Sequence, residues 1–248
     1  MKIIACYSNK GGVGKTATAV NLAHAFAEAG SRTLMCDLDP QGASSYYFRV
    51  KASKKLKDTS FFKDVERFTG AIRASDFDNL DILPANLSFR DFDIFLSRMK
   101  NSRSRLKKAL KAGGSEYDTI ILDCPPNIST LSENVFRAAD CIVVPVIPTS
   151  LSEHTFEQLM EFFRANKLER KKILGFFSMV QRSKKLHRET EVRMRKQHRK
   201  RFLGTSIPFT SEVEKMGIHR APVATYASGH AAAKAYRALH TDVMDHLK

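Results

Sequence analysis

The feature that most constrains this chain lies within its first sixteen residues. A strand-sized apolar run, Ile3 to Tyr7, leads into Asn9-Lys10-Gly11-Gly12-Val13-Gly14-Lys15-Thr16, and a helical stretch follows to about Ala29, with Gly30 placed as its C-cap. Glycines at 11, 12 and 14 let the backbone curl with its N–H groups inward. The helix behind them adds the partial positive charge of its N-terminus, so the loop is shaped for phosphate. In such a loop Lys15 neutralises β- and γ-phosphate charge and the Thr16 hydroxyl ligates Mg²⁺. A glycine-rich connector is the plain alternative; the strand in front and the helix behind decide against it. Lys10 is surplus to this pattern, because one loop accommodates one ammonium group against a given phosphate edge.

The rest of the chain repeats the strand-then-helix rhythm. Apolar strand segments are predicted at 32–39, 80–85, 117–126, 141–148 and 173–180. Helices are predicted over 88–112 and 151–168, and a closing helix over 228–248 carries Ala231, Ala235, Leu239, Val243 and Leu247 at near-helical spacing. Short apolar strands alternating with helices imply an α/β fold: a doubly wound, mostly parallel sheet with helices on both faces. With 248 residues, 43% of them apolar, and neither repeat nor low-complexity linker, residues 1–248 read as one domain.

No apolar run approaches the roughly 18 residues of a membrane span. The opening MKIIACYS is too short for a signal peptide and reads as a buried strand, so a cytoplasmic location is expected. Cys6, Cys36, Cys124 and Cys141 each fall in an apolar segment without a Cys-x-x-Cys pair, which predicts buried reduced thiols rather than a metal or disulfide framework. The histidines lack ligand spacing and read as surface residues.

Two carboxylate motifs support the nucleotide reading independently. Asp123 ends the strand of Leu122-Asp123-Cys124-Pro125-Pro126, where it can hold a Mg²⁺-bound water beside the phosphates. Asp37 and Asp39 end another strand at alternate positions, so period-two geometry puts both on one face, with Asp39 nearer the loop. In a parallel doubly wound sheet the C-terminal strand ends converge on the ligand crevice.

These segments carry a family resemblance. NKGGVGKT, DLDPQG, LDCPPNISTLSENVFRAAD and VVPVIPTSLS resemble the ParA/MinD class of deviant Walker A P-loop ATPases, and most closely ParA. GIHRAPVATYASGHAAAKAYRAL resembles the ParA tail, so the similarity runs from residue 1 to about 245. The resemblance implies ATP and Mg²⁺ as cofactors and an ATP-dependent homodimer in which Lys10, the signature lysine, reaches the partner subunit's phosphates. It implies a nucleotide cradle of Lys10, Gly11, Gly12, Val13, Gly14, Lys15, Thr16 and Ala17, with Lys15 on the β,γ-phosphates. Thr16 would bind Mg²⁺ directly and Asp123 through water. Asp39 would orient the attacking water, giving Lys10, Lys15 and Asp39 as the catalytic set, and Pro208 and Phe209 would lie near adenine. Two positions depart from the family pattern. Ala17 replaces a hydroxyl residue that commonly touches the α-phosphate, and Phe209 replaces a basic residue after Ile207-Pro208.

The formal net charge of +15 points to a polyanionic partner. Ten lysines and arginines lie between Arg182 and Arg201 (Arg182, Lys184, Lys185, Arg188, Arg193, Arg195, Lys196, Arg199, Lys200, Arg201) against only Glu189 and Glu191. A second cluster, Arg98 to Lys111, has seven cations and no acid, and a solvated helix face accounts for it as well as a ligand does. Without aromatic interleaving, nonspecific double-stranded DNA bound through its phosphates is the expected partner. ParA proteins bind DNA through the corresponding region, and no helix-turn-helix extension precedes the loop. The resemblance therefore predicts a nucleoid-associated partitioning or positioning ATPase, slow until a ParB-like or other cargo adaptor stimulates it. A MinD-like membrane ATPase is the alternative; no terminal amphipathic helix supports it, and no membrane partner is expected. A reductase or small-molecule ligase is a third reading, and Cys124 lacks the partner motif that a shared cluster needs.

Overall fold

The structure, a computed structural model, describes residues 1–51, 58–100 and 102–248, without the side chains of 58–60. Its centre is an eight-stranded sheet: β1 Lys2–Cys6, β2 Thr33–Asp37, β3 Arg73–Ala74, β4 Leu80–Leu83, β5 Thr119–Asp123, β6 Cys141–Val146, β7 Ile173–Val180 and β8 Phe202–Pro208. The spatial order is β3-β4-β2-β5-β1-β6-β7-β8. Every neighbouring pair is parallel except β3 with β4. The helices are α1 Lys15–Glu28, α2 Ala43–Tyr47, α3 Asp58–Lys63, α4 Val65–Thr69, α5 Phe92–Ser97, α6 Arg105–Gly113 and α7 Thr130–Ala138. They continue with α8 Ser150–Ala165, α9 Lys185–Gln197, α10 Ser211–Glu214, α11 Met216–His219, α12 Val223–Tyr226 and α13 Ala231–Leu247.

The apolar strands have no solvated face because both sides are covered. Along β1, Ile3, Ala5 and Tyr7 enter one core with α5 to α8, while Ile4 and Cys6 enter the other with α1 and α13. This alternation makes a strand that is hydrophobic throughout a central strand of a doubly wound sheet. From β1 the chain passes through α1 to β2 on one side, and from β5 through α7 to β6 on the other. The change of direction leaves a crevice beyond the C-terminal ends of β1 and β5.

Several expectations shift in detail. The helix predicted over 88–112 is broken into a 3₁₀ turn at Leu87–Asp91, α5, a second 3₁₀ turn at Ser102–Ser104, and α6. Phe92 with Leu96, and Leu106 with Leu110, keep i,i+4 burial, but the polar stretch between them supplies no fully buried apolar anchor among its described residues. The Arg105 guanidinium closes that gap by donating to the Lys100 carbonyl at 3.0 and 2.8 Å. Strand β8 is missing from the sequence reading because its burial pattern is irregular, as suits an edge strand with bulges. The closing helix buries Leu239 and Val243 and packs Ala235 and Leu247 against the core as predicted; Ala231 is exposed, and Ala232, Ala233 and Tyr236 widen the inner face.

All four cysteines are free and buried, and burial pushes the Cys141 thiol up to about 12. His187 corrects the expectation of surface histidines: it is buried, and its Nδ1 accepts from the Gln181 amide at 3.2 Å. Among the described residues no helix is long and apolar enough to cross a membrane.

Candidate nucleotide site

The loop between β1 and α1 takes the shape its glycines permit. Gly12 (φ 70°) and Gly14 (φ 87°) occupy left-handed backbone that L side chains disfavour. Gly14 is confined as well, since a Cβ there would lie 3.0 Å from Ser178 Oγ at the end of β7. It is also the N-cap of α1, and no side chain caps that helix, so the first-turn amides are left for another acceptor. Ala17, in that first turn, offers only its backbone.

Beneath the loop, the ends of β2 and β5 bring three carboxylates together, and two of them, Asp123 and Asp39, face one ammonium group. Asp37 and Asp123 are paired in register and fully buried. Lys15, only 9% exposed, places Nζ 3.3 Å from Asp123 Oδ1 and 3.9 Å from Asp39 Oδ2. Burial alone would lower the Lys15 pKa; the charges of Asp123 and Asp39 outweigh it and raise the value. Asp39 is less enclosed and is fixed by a turn: its Oδ1 accepts from the Gln41 amide at 3.0 Å, and its carbonyl accepts from the Gly42 amide at 2.9 Å.

Two serines of α2, which the sequence reading passed over, organise these acids. Ser44 donates to Asp123 Oδ2 at 2.6 Å. Ser45 gives both its amide (2.8 Å) and its hydroxyl (2.7 Å) to Asp37 Oδ2. Asp37 Oδ1 is buried without a partner among the described residues, and burial followed by the charge of Asp123 pushes the carboxyl up to about 7. The signal for the serines was their place one turn after the Asp39-Pro40-Gln41-Gly42 loop, where a short helix turns back over the strand ends.

The donor set suits Mg²⁺. That ion keeps several waters and needs only one or two protein oxygens beside the phosphates. The Thr16 hydroxyl would be the one direct protein ligand and Asp123 would act through a bound water; among the described residues Asp37 Oδ1 is a further buried acceptor without a partner.

Lys10 does not join this cluster. Its Nζ donates to Ser152 Oγ at 3.1 Å, in the first turn of α8, and its amide donates to Ser8 Oγ at 3.2 Å. The two lysines of the loop thus have separate environments: Lys15 is buried among acids, and Lys10 lies along the crevice wall.

Comparison with known proteins agrees with this geometry. A family model described as an AAA domain matches residues 1–175. The chain belongs to the ParA/MinD superfamily of P-loop ATPases. It is 40% identical over 146 residues to the sporulation initiation inhibitor protein Soj of Bacillus subtilis strain 168, an alignment covering 58% of each chain. It thus spans little more than half the length of that relative. Among solved structures, a protein assigned to plasmid partition from Borrelia burgdorferi B31, bound to AMPPNP, superposes with a TM-score of 0.81 at 21% identity over 98% of both chains. Cobyrinic acid a,c-diamide synthase of Mycobacterium smegmatis, with bound ADP and magnesium, gives 0.80 at 23% over 99% of this chain and 95% of that one. At these identities the likeness is one of fold, and it shows that relatives of this fold bind nucleotide and magnesium.

Within this ParA/MinD chain, the remaining candidate residues divide by their surroundings. Pro208 ends β8, and Phe209 donates its amide to the Val180 carbonyl at 3.0 Å, so both lie on the same sheet edge as the loop. The Phe209 ring is 51% exposed. Asn21 ties the following segment to α1: its Oδ1 accepts from the Val223 amide at 2.9 Å, and its Nδ2 donates to the Ala17 carbonyl at 2.7 Å.

The basic stretch forms α9, with His187, Thr190 and Met194 facing inward. Four of its ten cations are engaged by the fold itself, Arg188 by donating to the Arg182 carbonyl at 2.6 Å. Arg195 stacks over Phe177 at 5.1 Å and donates to the Leu203 and Gly204 carbonyls. Arg193 clasps Glu153 of α8 with bonds of 3.1 and 2.5 Å. Arg201 is half-buried, and burial and then nearby Arg170 lower its pKa. Arg182, Lys184, Lys185, Arg188, Lys196, Arg199 and Lys200 are exposed. Lys185 keeps a long i,i+4 pair with Glu189 at 3.6 Å.

Proposed function

We propose that this protein is a ParA-type positioning ATPase. Its ATP-bound homodimer would coat nonspecific double-stranded DNA and leave it after hydrolysis stimulated by a cargo-bound adaptor. The observation that carries this reading is the division of labour between the two loop lysines. Lys15 occupies the buried acid cluster, whereas Lys10 stands 3.1 Å from Ser152 and outside its own cradle. A second cation held away from the chain's own phosphate site is suited to serve another subunit's, where added positive charge stabilises the charge developing during phosphoryl transfer.

The chain's own groups have definable tasks. Incoming phosphates compete with Asp123 for the Lys15 ammonium, and the amides of α1 receive the remaining oxygens. Mg²⁺, held by the Thr16 hydroxyl and, through water, by Asp123, would supply positive charge against the phosphates. Asp39, pinned by the Gln41 amide, holds a carboxylate oxygen where an attacking water can be oriented. Relatives and charge together support the DNA arm: chromosome-partitioning proteins are among the relatives matched by sequence, and exposed cations cluster on α9 and its flanks. The first turn of α8 touches both Lys10, through Ser152, and α9, through Glu153 and Arg193, which offers a short physical route between nucleotide and DNA.

Duplex DNA binding measured with and without ATP and Mg²⁺, across a salt series, tests this reading. ATP should tighten binding, with a steep salt slope, and Lys15→Ala should abolish the tightening. Nucleotide-independent binding would refute the switch.

A further inference from the structure

The second basic cluster of the sequence ends in a cavity rather than on a flat helix face. A cavity of about 590 Å³ opens between the segment 102–107, the last turn of α7 and the connection from α8 to β7. Because it adjoins the C-terminus of α7 and the start of β7, it lies at the sheet edge opposite the nucleotide loop. Arg103, Lys107, Arg137, Lys167 and Lys172 line it, and Glu169 is the single carboxylate among its lining residues.

Three observations distinguish it from a solvated charge run. Arg137 Nε is buried and has no hydrogen-bond partner among the described residues, although an unmet buried donor is costly. Lys167 holds left-handed backbone (φ 52°) just after α8, a position where glycine is the comfortable residue, and so keeps a cation on the rim. Phe136, buried in the core, gives the cavity an apolar wall beside the Arg137 fork. Glu169 is already shared between Lys171 (3.2 Å) and Lys172 (3.4 Å), and Arg103 has a long pair with Glu133 at 3.7 Å.

We propose that this cavity binds a small phosphoanhydride anion: a polyphosphate chain, free or carried by a nucleoside. Its volume falls within the range of small-molecule pockets. Five cations around one such space match several negative charges packed close together, and an arginine fork fits phosphate oxygens in pairs. A duplex is convex and presents its phosphates to ridges, so the concavity favours the small anion over DNA.

The test is calorimetric titration of tripolyphosphate, and separately of GDP, into the full chain carrying Lys15→Ala, which silences the nucleotide loop, at about 0.15 M salt. One saturable site per chain is expected, weakened at least tenfold by adding either Lys107→Ser or Arg137→Gln. Lys107 is half-buried on the surface of α6, so Lys107→Ser keeps the test valid if Arg137→Gln fails to fold, which a thermal melt reports. Tighter binding of GDP would assign the nucleoside-borne form; tighter binding of tripolyphosphate would assign the free form. The proposal is overturned if neither probe saturates, or if Lys107→Ser leaves the affinity unchanged. It is equally overturned if a short duplex binds through Lys107 while tripolyphosphate does not.

Discussion

Asp37→Asn should make the nucleotide-free protein more stable above neutral pH and change little near pH 4. The Asp37 side chain is fully buried, Oδ2 is satisfied twice by Ser45, and Oδ1 has no partner among the described residues. Burial and the neighbouring Asp123 hold its carboxyl near 7, against about 3.9 for an unfolded aspartate. The sign follows from proton counting. Between those values the folded state keeps a proton that the unfolded state has released, so folding stability falls as pH rises. Each pH unit costs at most about 1.4 kcal/mol, and the roughly three-unit gap gives a ceiling of about 4 kcal/mol by pH 7. Asparagine preserves the acceptor for Ser45 and places an amide where Oδ1 is unmet, without a charge to desolvate. Urea midpoints measured from pH 4 to 8 without nucleotide or Mg²⁺ should therefore diverge, wild type falling away from the variant most steeply between pH 5 and 7. Parallel pH profiles for the two proteins, or a variant less stable at pH 8, would refute the reasoning.

Lys10→Ala should leave the thermal midpoint within a few degrees, because its ammonium contact is one hydrogen bond to Ser152, yet lower ATP turnover at least roughly tenfold and abolish the ATP-dependent dimer. Wild-type turnover in that variant would remove the trans assignment, and light scattering with and without ATP reads the dimer. Arg195→Ala should cost about 1–3 kcal/mol in chemical denaturation, since it frees two carbonyls and the face of Phe177. Lys200→Ala should instead leave stability within about 0.5 kcal/mol while lowering DNA affinity and the salt slope by about one unit. Gly14→Ala should destabilise by about 1–2 kcal/mol, because a methyl group meets both φ 87° and Ser178, and should weaken ATP binding; an unchanged melt would show that the loop relaxes freely.

The sequence alone determined the elements whose signal is local. A strand, three glycines, a lysine and a threonine in one run specify a phosphate loop, because backbone conformation and helix start are set by neighbouring residues. Continuous apolar strands likewise specified a sheet covered on both faces, and Asp39 and Asp123 were legible from their positions at strand ends. Tertiary structure decided everything that depends on which segments meet. The sequence put Asp39 nearer the loop than Asp37, but only register with β5 shows Asp37 buried against Asp123 while Asp39 stays at the mouth. Arg193 and Arg195 are indistinguishable from Lys196 in a charge run, and only the packing of α9 on α8, β7 and β8 turns them into structural ties. Lys10 stood out in the sequence as a surplus charge, while its separation from Lys15 needed α8 to be brought beside the loop. Periodicity reports which side of an element is apolar; it carries no term for the partner element that converts a charge into a buried ion pair, an orphaned carboxylate or a free cation.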